Sequence, residues 1–218
     1  FRGDFGNPGQ IEGYYGEIND VISAHSYLSK LDYIDKNRIY LGGHSSGGTL
    51  ALLVAESTDI FRGVIAFGPS CDPIERYPSK HFFHDLSDKK ENALRTPSKY
   101  LKSIETPTLI IEGSESVDYT DNIGLFNKSK NVKIFYPEAA DHFNILFPIN
   151  RMIANDLSKN PDALSTYTYE RINKEYSTFS KQQTDADDLR TLIRTIRVAV
   201  KDEFGVSLQI EPTLLGRL

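Results

Sequence analysis

Arg38-Ile39-Tyr40-Leu41-Gly42-Gly43-His44-Ser45-Ser46-Gly47-Gly48-Thr49-Leu50-Ala51-Leu52-Leu53 decides how this chain folds. Arg38 to Leu41 is a short apolar strand, set off by Asp35-Lys36-Asn37 before it and Gly42-Gly43 after it. From about Ser46 to Ser57 the pattern is helical, with Leu50, Leu52, Leu53, Val54 and Ala55 expected inside. Between strand and helix lies Gly43-His44-Ser45-Ser46-Gly47, a Gly-x-Ser-x-Gly pentapeptide. Such a match arises by chance in roughly one chain of this length in fifteen, so its context carries the weight. A serine on a tight turn between a buried strand and a helix has its hydroxyl held clear of the backbone. The phosphate-loop and dinucleotide alternatives fit worse, because neither Gly-x-Gly-x-x-Gly nor Gly-Lys-Ser is present.

Outward from this stretch the same alternation continues. A helix is expected from Gly16 to Lys30, where Ile18, Val21, Ile22, Ala24 and Leu28 recur at roughly helical spacing. Gly63-Val64-Ile65-Ala66-Phe67, Thr108-Leu109-Ile110-Ile111 and Val132-Lys133-Ile134-Phe135-Tyr136 read as further strands. Continuously apolar strands separated by helices imply an α/β fold: a three-layer αβα sandwich around a mostly parallel sheet. After about Leu157 the chain turns polar, and a boundary is expected near residue 158. Residues 159–218 are then a mainly helical C-terminal extension, with an amphipathic helix from about Asp185 to Phe204 that stops at Gly205.

Composition excludes several classes of partner. The 218 residues carry a net charge of −5, and 39% are apolar. No basic face is available for nucleic acid, and no apolar run approaches the roughly 18 residues that cross a bilayer. The opening FRGDFGNPGQ lacks the basic-then-apolar pattern of a secretion signal. With Cys71 as the single cysteine there is no internal disulfide framework, and a reducing cytosol is the simplest expectation.

A serine hydroxyl becomes a useful nucleophile when an imidazole takes its proton. Of the five histidines, His142 follows the last strand in Ala139-Ala140-Asp141-His142-Phe143, where such a base is expected. His44 is expected to line the turn, His25 to be packed or solvated within its helix, and His81 with His84 lack a clear third metal ligand. The acid that orients the base should lie in the turn after Thr108–Ile111, which reads Glu112-Gly113-Ser114-Glu115-Ser116-Val117-Asp118. Glu115 and Asp118 are the two candidates there, and Asp72, one strand earlier, is a third. The backbone N–H of Ser46 should supply half of an oxyanion hole. No cofactor and no metal are expected.

Residues 1 to about 157 resemble the prolyl-oligopeptidase-like branch of the α/β-hydrolases. The carrying segments are Tyr33 through Gly48, Pro107-Thr108-Leu109-Ile110-Ile111-Glu112-Gly113, and Ala140-Asp141-His142-Phe143, in family order and at family spacing. The resemblance implies acyl transfer to water, with Ser45 attacking an ester or amide carbonyl and His142 shuttling the proton. A small ester or peptide is the implied partner, and a homo-oligomer is compatible with it. A non-catalytic hydrolase-like scaffold or binding protein is the alternative. The family usually carries Asp three residues after the glycine of the acid turn, and that position here is Ser116. The resemblance sets Phe1 near the end of the family's fourth strand, so the earlier strands and their oxyanion loop are expected to lie outside this chain. Separately, the last 30 or so residues resemble the C-terminus of flavin-dependent UDP-N-acetylenolpyruvoylglucosamine reductases, whose catalytic glutamate would fall at Glu211. A docking appendage is the reading preferred over a flavin reductase fragment, because no flavin-binding segment accompanies it.

Overall fold

A computed structural model of the chain describes residues 7–76, 84–116 and 129–182, with Lys181 and Gln182 described by backbone alone. The expected helix at 185–204, the tail around Glu211, and His81 and Asp118 lie outside the described residues. Four strands form one parallel sheet in the order β1 (Tyr40–His44), β2 (Gly63–Phe67), β3 (Thr108–Ile111), β4 (Val132–Phe135). Registers run Leu41 to Val64, Ile65 to Leu109 and Ile110 to Ile134. β1 reaches three residues further than its apolar run suggested, through the two glycines to His44. Pairing with the fully buried β2 imposes that extension, since Gly42, Gly43 and His44 align with Ile65, Ala66 and Phe67.

The pleat sends alternate side chains of β2 and β3 to opposite faces. Val64, Ala66 and Ile110 join Leu50, Leu52, Val54 and Leu101 in one core, with Ile18 and Val21 packed against it. Those residues come largely from α1 (Tyr15–Leu28) and α2 (Ser46–Ser57). Ile65, Phe67, Leu109 and Ile111 face the other way, onto Ile149, Ile153, Leu157, Leu164, Ile172 and Tyr176. The second layer is supplied by α5 (Leu146–Lys159), a 3-10 turn at Ala163–Thr166 and α6 (Tyr169–Gln182). Two short helices, α3 (Pro73–Arg76) and α4 (Lys89–Ala93), lie in the connection between β2 and β3. The result is the three-layer α/β arrangement, with the sheet as its middle layer.

The boundary expected near 158 falls inside α5, and the chain stays in one compact unit through Ser177. The reason is apolar burial hidden in a polar stretch. Ala163, Leu164, Tyr167, Ile172 and Tyr176 are each at most 4% exposed, and each fully buried large apolar side chain contributes about 1.5–3 kcal/mol. Of the second unit, residues 178–218, the described part is the end of α6. Among the described residues, no helix is long and apolar enough to cross a membrane.

At the end of α2, Glu56 buries its carboxyl, and its Oε1 has no hydrogen-bond partner among the described residues. Burial pushes this carboxyl up to about 9, from an ordinary value of 4.5. The folded chain then holds a proton that the unfolded chain releases above about pH 4.5, so stability falls as pH rises towards 9. Urea unfolding at a series of pH values should show a Glu56→Gln variant gaining on the wild type between pH 5 and pH 8. A constant difference across that range would show that Glu56 does not titrate as stated.

Candidate active site

Close backbone approach builds the turn at Ser45. Ser45 has φ 56° and ψ −120°, a combination that costs a residue with a Cβ about 1–3 kcal/mol. Two hydrogen bonds hold it there: its N–H donates to the Phe67 carbonyl at 2.8 Å, and its carbonyl accepts the Thr49 N–H at 3.0 Å. A Cβ on Gly43 would lie 2.1 Å from the Gly47 carbonyl oxygen, so Gly43 is a steric requirement of the turn. Gly48 is tight as well, since its Cβ would meet the Phe67 carbonyl oxygen at 2.8 Å. Around Gly47 there is open space; packing does not demand a glycine there.

Ser45 occupies the N-cap of α2, where a serine ordinarily bonds the first turn of the helix. Its side chain makes no such bond, and the residue is exposed. Ser46 opens α2, so its N–H belongs to the first turn, whose donors have no partner within the helix.

His142 lies against the ends of these strands. Its Nδ1 is 3.0 Å from Glu112 Oε2, and the Glu112 side chain is fully buried. Glu112 Oε1 accepts the Gly113 N–H at 2.7 Å. A carboxylate accepts, so His142 Nδ1 is the donor in this pair. Ser45 Oγ and His142 are not hydrogen-bonded in this structure; such bonds often tighten when substrate is present.

Two glycines make room for the pair. A Cβ on Gly68, which has φ 51°, would lie 2.4 Å from His142 Cε1 and 2.6 Å from Glu112 Oε2. One on Gly113 would meet the Ala140 carbonyl oxygen at 2.3 Å. The loop carrying His142 is tied down along its backbone. Asn173 Oδ1 accepts the Glu138 N–H, Ser114 Oγ accepts the Ala139 N–H, and Tyr176 Oη donates to the Ala139 carbonyl. Asp141 Oδ1 accepts the N–H groups of Phe143 and Asn144, while Asn144 Oδ1 accepts that of Asp141.

Among the described residues, the carboxylate bonded to His142 is therefore Glu112, which the sequence reading passed over. Glu115 is exposed, and its backbone N–H donates to the Ala140 carbonyl at 2.9 Å. Asp72 starts α3, its Oδ1 accepting the Glu75 N–H at 3.1 Å. A signal for Glu112 did exist in the sequence: it directly follows the three apolar strand residues Leu109, Ile110 and Ile111, and a carboxylate buried with them is costly unless it is partnered. Of the other histidines, His25 sets its ring edge on Phe61, and His84 Nε2 lies 2.7 Å from Asn92 Oδ1. No group of three His, Cys, Asp or Glu residues that could hold a metal ion occurs among the described residues.

Comparison with known proteins adds family to geometry. Curated proteins yielded no match. Among solved structures, a protein described as a dipeptidyl aminopeptidase IV from Bacteroides ovatus superposes with a TM-score of 0.59 at 17% identity, over 69% of this chain and 23% of its own. An acylaminoacyl peptidase superposes at 0.55 and 13% identity, over 68% and 28%. Est1E from Butyrivibrio proteoclasticus gives 0.53 and 17%, over 73% and 74%. The chain thus spans about a quarter of the length of the first two, and at these identities the likeness shows the α/β-hydrolase fold. Residues 5–121, more than half of the sequence, match the prolyl oligopeptidase family, and the chain belongs to that family.

Proposed function

We propose that this chain is a serine hydrolase that cleaves an ester or a short peptide bond through an acyl-enzyme on Ser45. The observation that carries the reading is the Ser45 backbone, held at φ 56° with its hydroxyl unused by the helix it precedes. Family membership and the pairing of His142 Nδ1 with buried Glu112 support it. Ser45 Oγ attacks the substrate carbonyl, and His142 Nε2 takes the hydroxyl proton. Negative charge then gathers on the carbonyl oxygen, where the Ser46 N–H supplies half of the oxyanion hole. As the tetrahedral species collapses, His142 returns the proton to the departing alcohol or amine. Water repeats the sequence on the acyl-enzyme and frees Ser45. Glu112 acts through His142, keeping the proton on Nδ1 and balancing the imidazolium charge.

A fluorophosphonate probe tests these roles directly. Labelling should map to Ser45 and vanish in Ser45→Ala. His142→Ala and Glu112→Gln should slow it by roughly 10²–10⁴-fold, while Glu115→Gln leaves the rate unchanged. A folded wild type that takes no label favours the non-catalytic scaffold instead. The steric claim has its own check. Gly68→Ala forces the His142 ring aside, and a displacement of about 1 Å should lower the labelling rate on the order of a hundredfold. A Gly68→Ala variant that labels like the wild type would contradict the stated packing of the pair.

A further inference from the structure

His44 is the residue of the turn that the chemistry above leaves without work. It sits at the end of β1, one residue before the nucleophile. Its Nε2 lies 3.0 Å from the backbone carbonyl oxygen of His142. A carbonyl oxygen accepts, so His44 Nε2 carries the proton and donates it. The two imidazoles are also in contact, with ring centroids 4.4 Å apart and planes tilted by 42°. Phe143 closes the group, its ring 5.4 Å from that of His44 and 5.0 Å from that of His142.

We infer that His44 is a positioning residue, which ties the main chain of the base to the strand that carries the nucleophile. The inference rests on the serine hydrolase reading for its consequence and on the Nε2–carbonyl bond for its geometry. The other bonds to the His142 loop come from the acid turn, from α6 and from the loop itself. His44 alone among the bonds described brings in β1, whose position sets Ser45. It therefore fixes the separation on which proton transfer from Ser45 depends, and that transfer is steeply sensitive to distance. His44 must also stay neutral, because a second cation here would oppose the imidazolium formed on His142. Burial first, and the His142 charge second, hold His44 below the ordinary histidine range, with its bond to the His142 backbone acting the other way.

Three variants separate positioning from packing. His44→Phe keeps a ring and loses the donor, His44→Gln keeps an amide donor at similar reach, and His44→Asn has a donor too short to arrive. Fluorophosphonate kinetics on the whole chain should show His44→Phe lowering the rate of bond formation about ten- to a hundredfold. The probe's binding constant should be unchanged, and His44→Gln should restore most of the rate. His44→Phe reacting at the wild-type rate, or His44→Gln reacting no faster than His44→Phe, overturns the inference. Should His44→Phe fail to fold, His44→Gln must outpace His44→Asn by the same margin, and equal rates overturn it. Nitrogen-15 spectra of the wild-type imidazoles read the contact without any reaction. A His44 that carries its proton on Nε2 supports the link even if the chain takes no label, which would sink the hydrolase reading alone. A proton on Nδ1 overturns the link itself.

Discussion

The approach of the β1–α2 turn to the end of β2 is the constraint from which the rest of the site follows. Ser45 is held in an unfavourable backbone conformation because its N–H reaches the Phe67 carbonyl and its carbonyl begins α2. That geometry requires Gly43 to lie where any side chain would strike Gly47. Phe67 is followed by Gly68, whose missing side chain is the space filled by His142 and Glu112. One backbone hydrogen bond thus connects the strain at Ser45 to the slot in which His142 and Glu112 meet. The strain costs about 1–3 kcal/mol, and the surrounding layers have to hold it. Leu52, Val54, Val64, Ala66 and Ile110, all fully buried or nearly so, pack on the face beneath the turn's helix.

The opposite layer supports the loop that carries His142. Ile172 and Tyr176 are buried in the core under the other face of the sheet, while Asn173 and Tyr176 bond the backbone of the His142 loop. The stretch 159–177 is therefore more than an attachment to the core, since it completes that core and braces the His142 loop. Burial and hydrogen bonding act together here: the apolar residues of α6 fix its position, and its polar residues reach the loop from there.

Much of this was legible in the sequence, and what was missed has a physical cause in each case. The apolar runs of β2, β3 and β4 and the helix at Ser46–Ser57 could be read because buried parallel strands and their covering helices leave little polar surface. The turn that holds Ser45 could be read because a short apolar strand, a glycine-rich pentapeptide and a helix follow one another there. Glu112 was overlooked because side chains in the turn itself looked more accessible, whereas its partner comes to it inside the fold through the spaces at Gly68 and Gly113. The extension of β1 to His44 is set by pairing with β2, a contact that is not local. The boundary near 158 followed the polar texture, which conceals a few well-spaced apolar residues such as Leu164, Tyr167 and Ile172.

Covalent capture of an acyl group tests the central claim most directly. The wild-type chain would be mixed with p-nitrophenyl acetate, stopped in acid within the first turnovers, and mapped by peptide mass spectrometry. A burst of nitrophenol close to one equivalent, with a single acetyl group on the peptide containing Ser45, is the predicted result. Acetyl groups scattered over lysines, with no burst and with Ser45 unmodified, would contradict it.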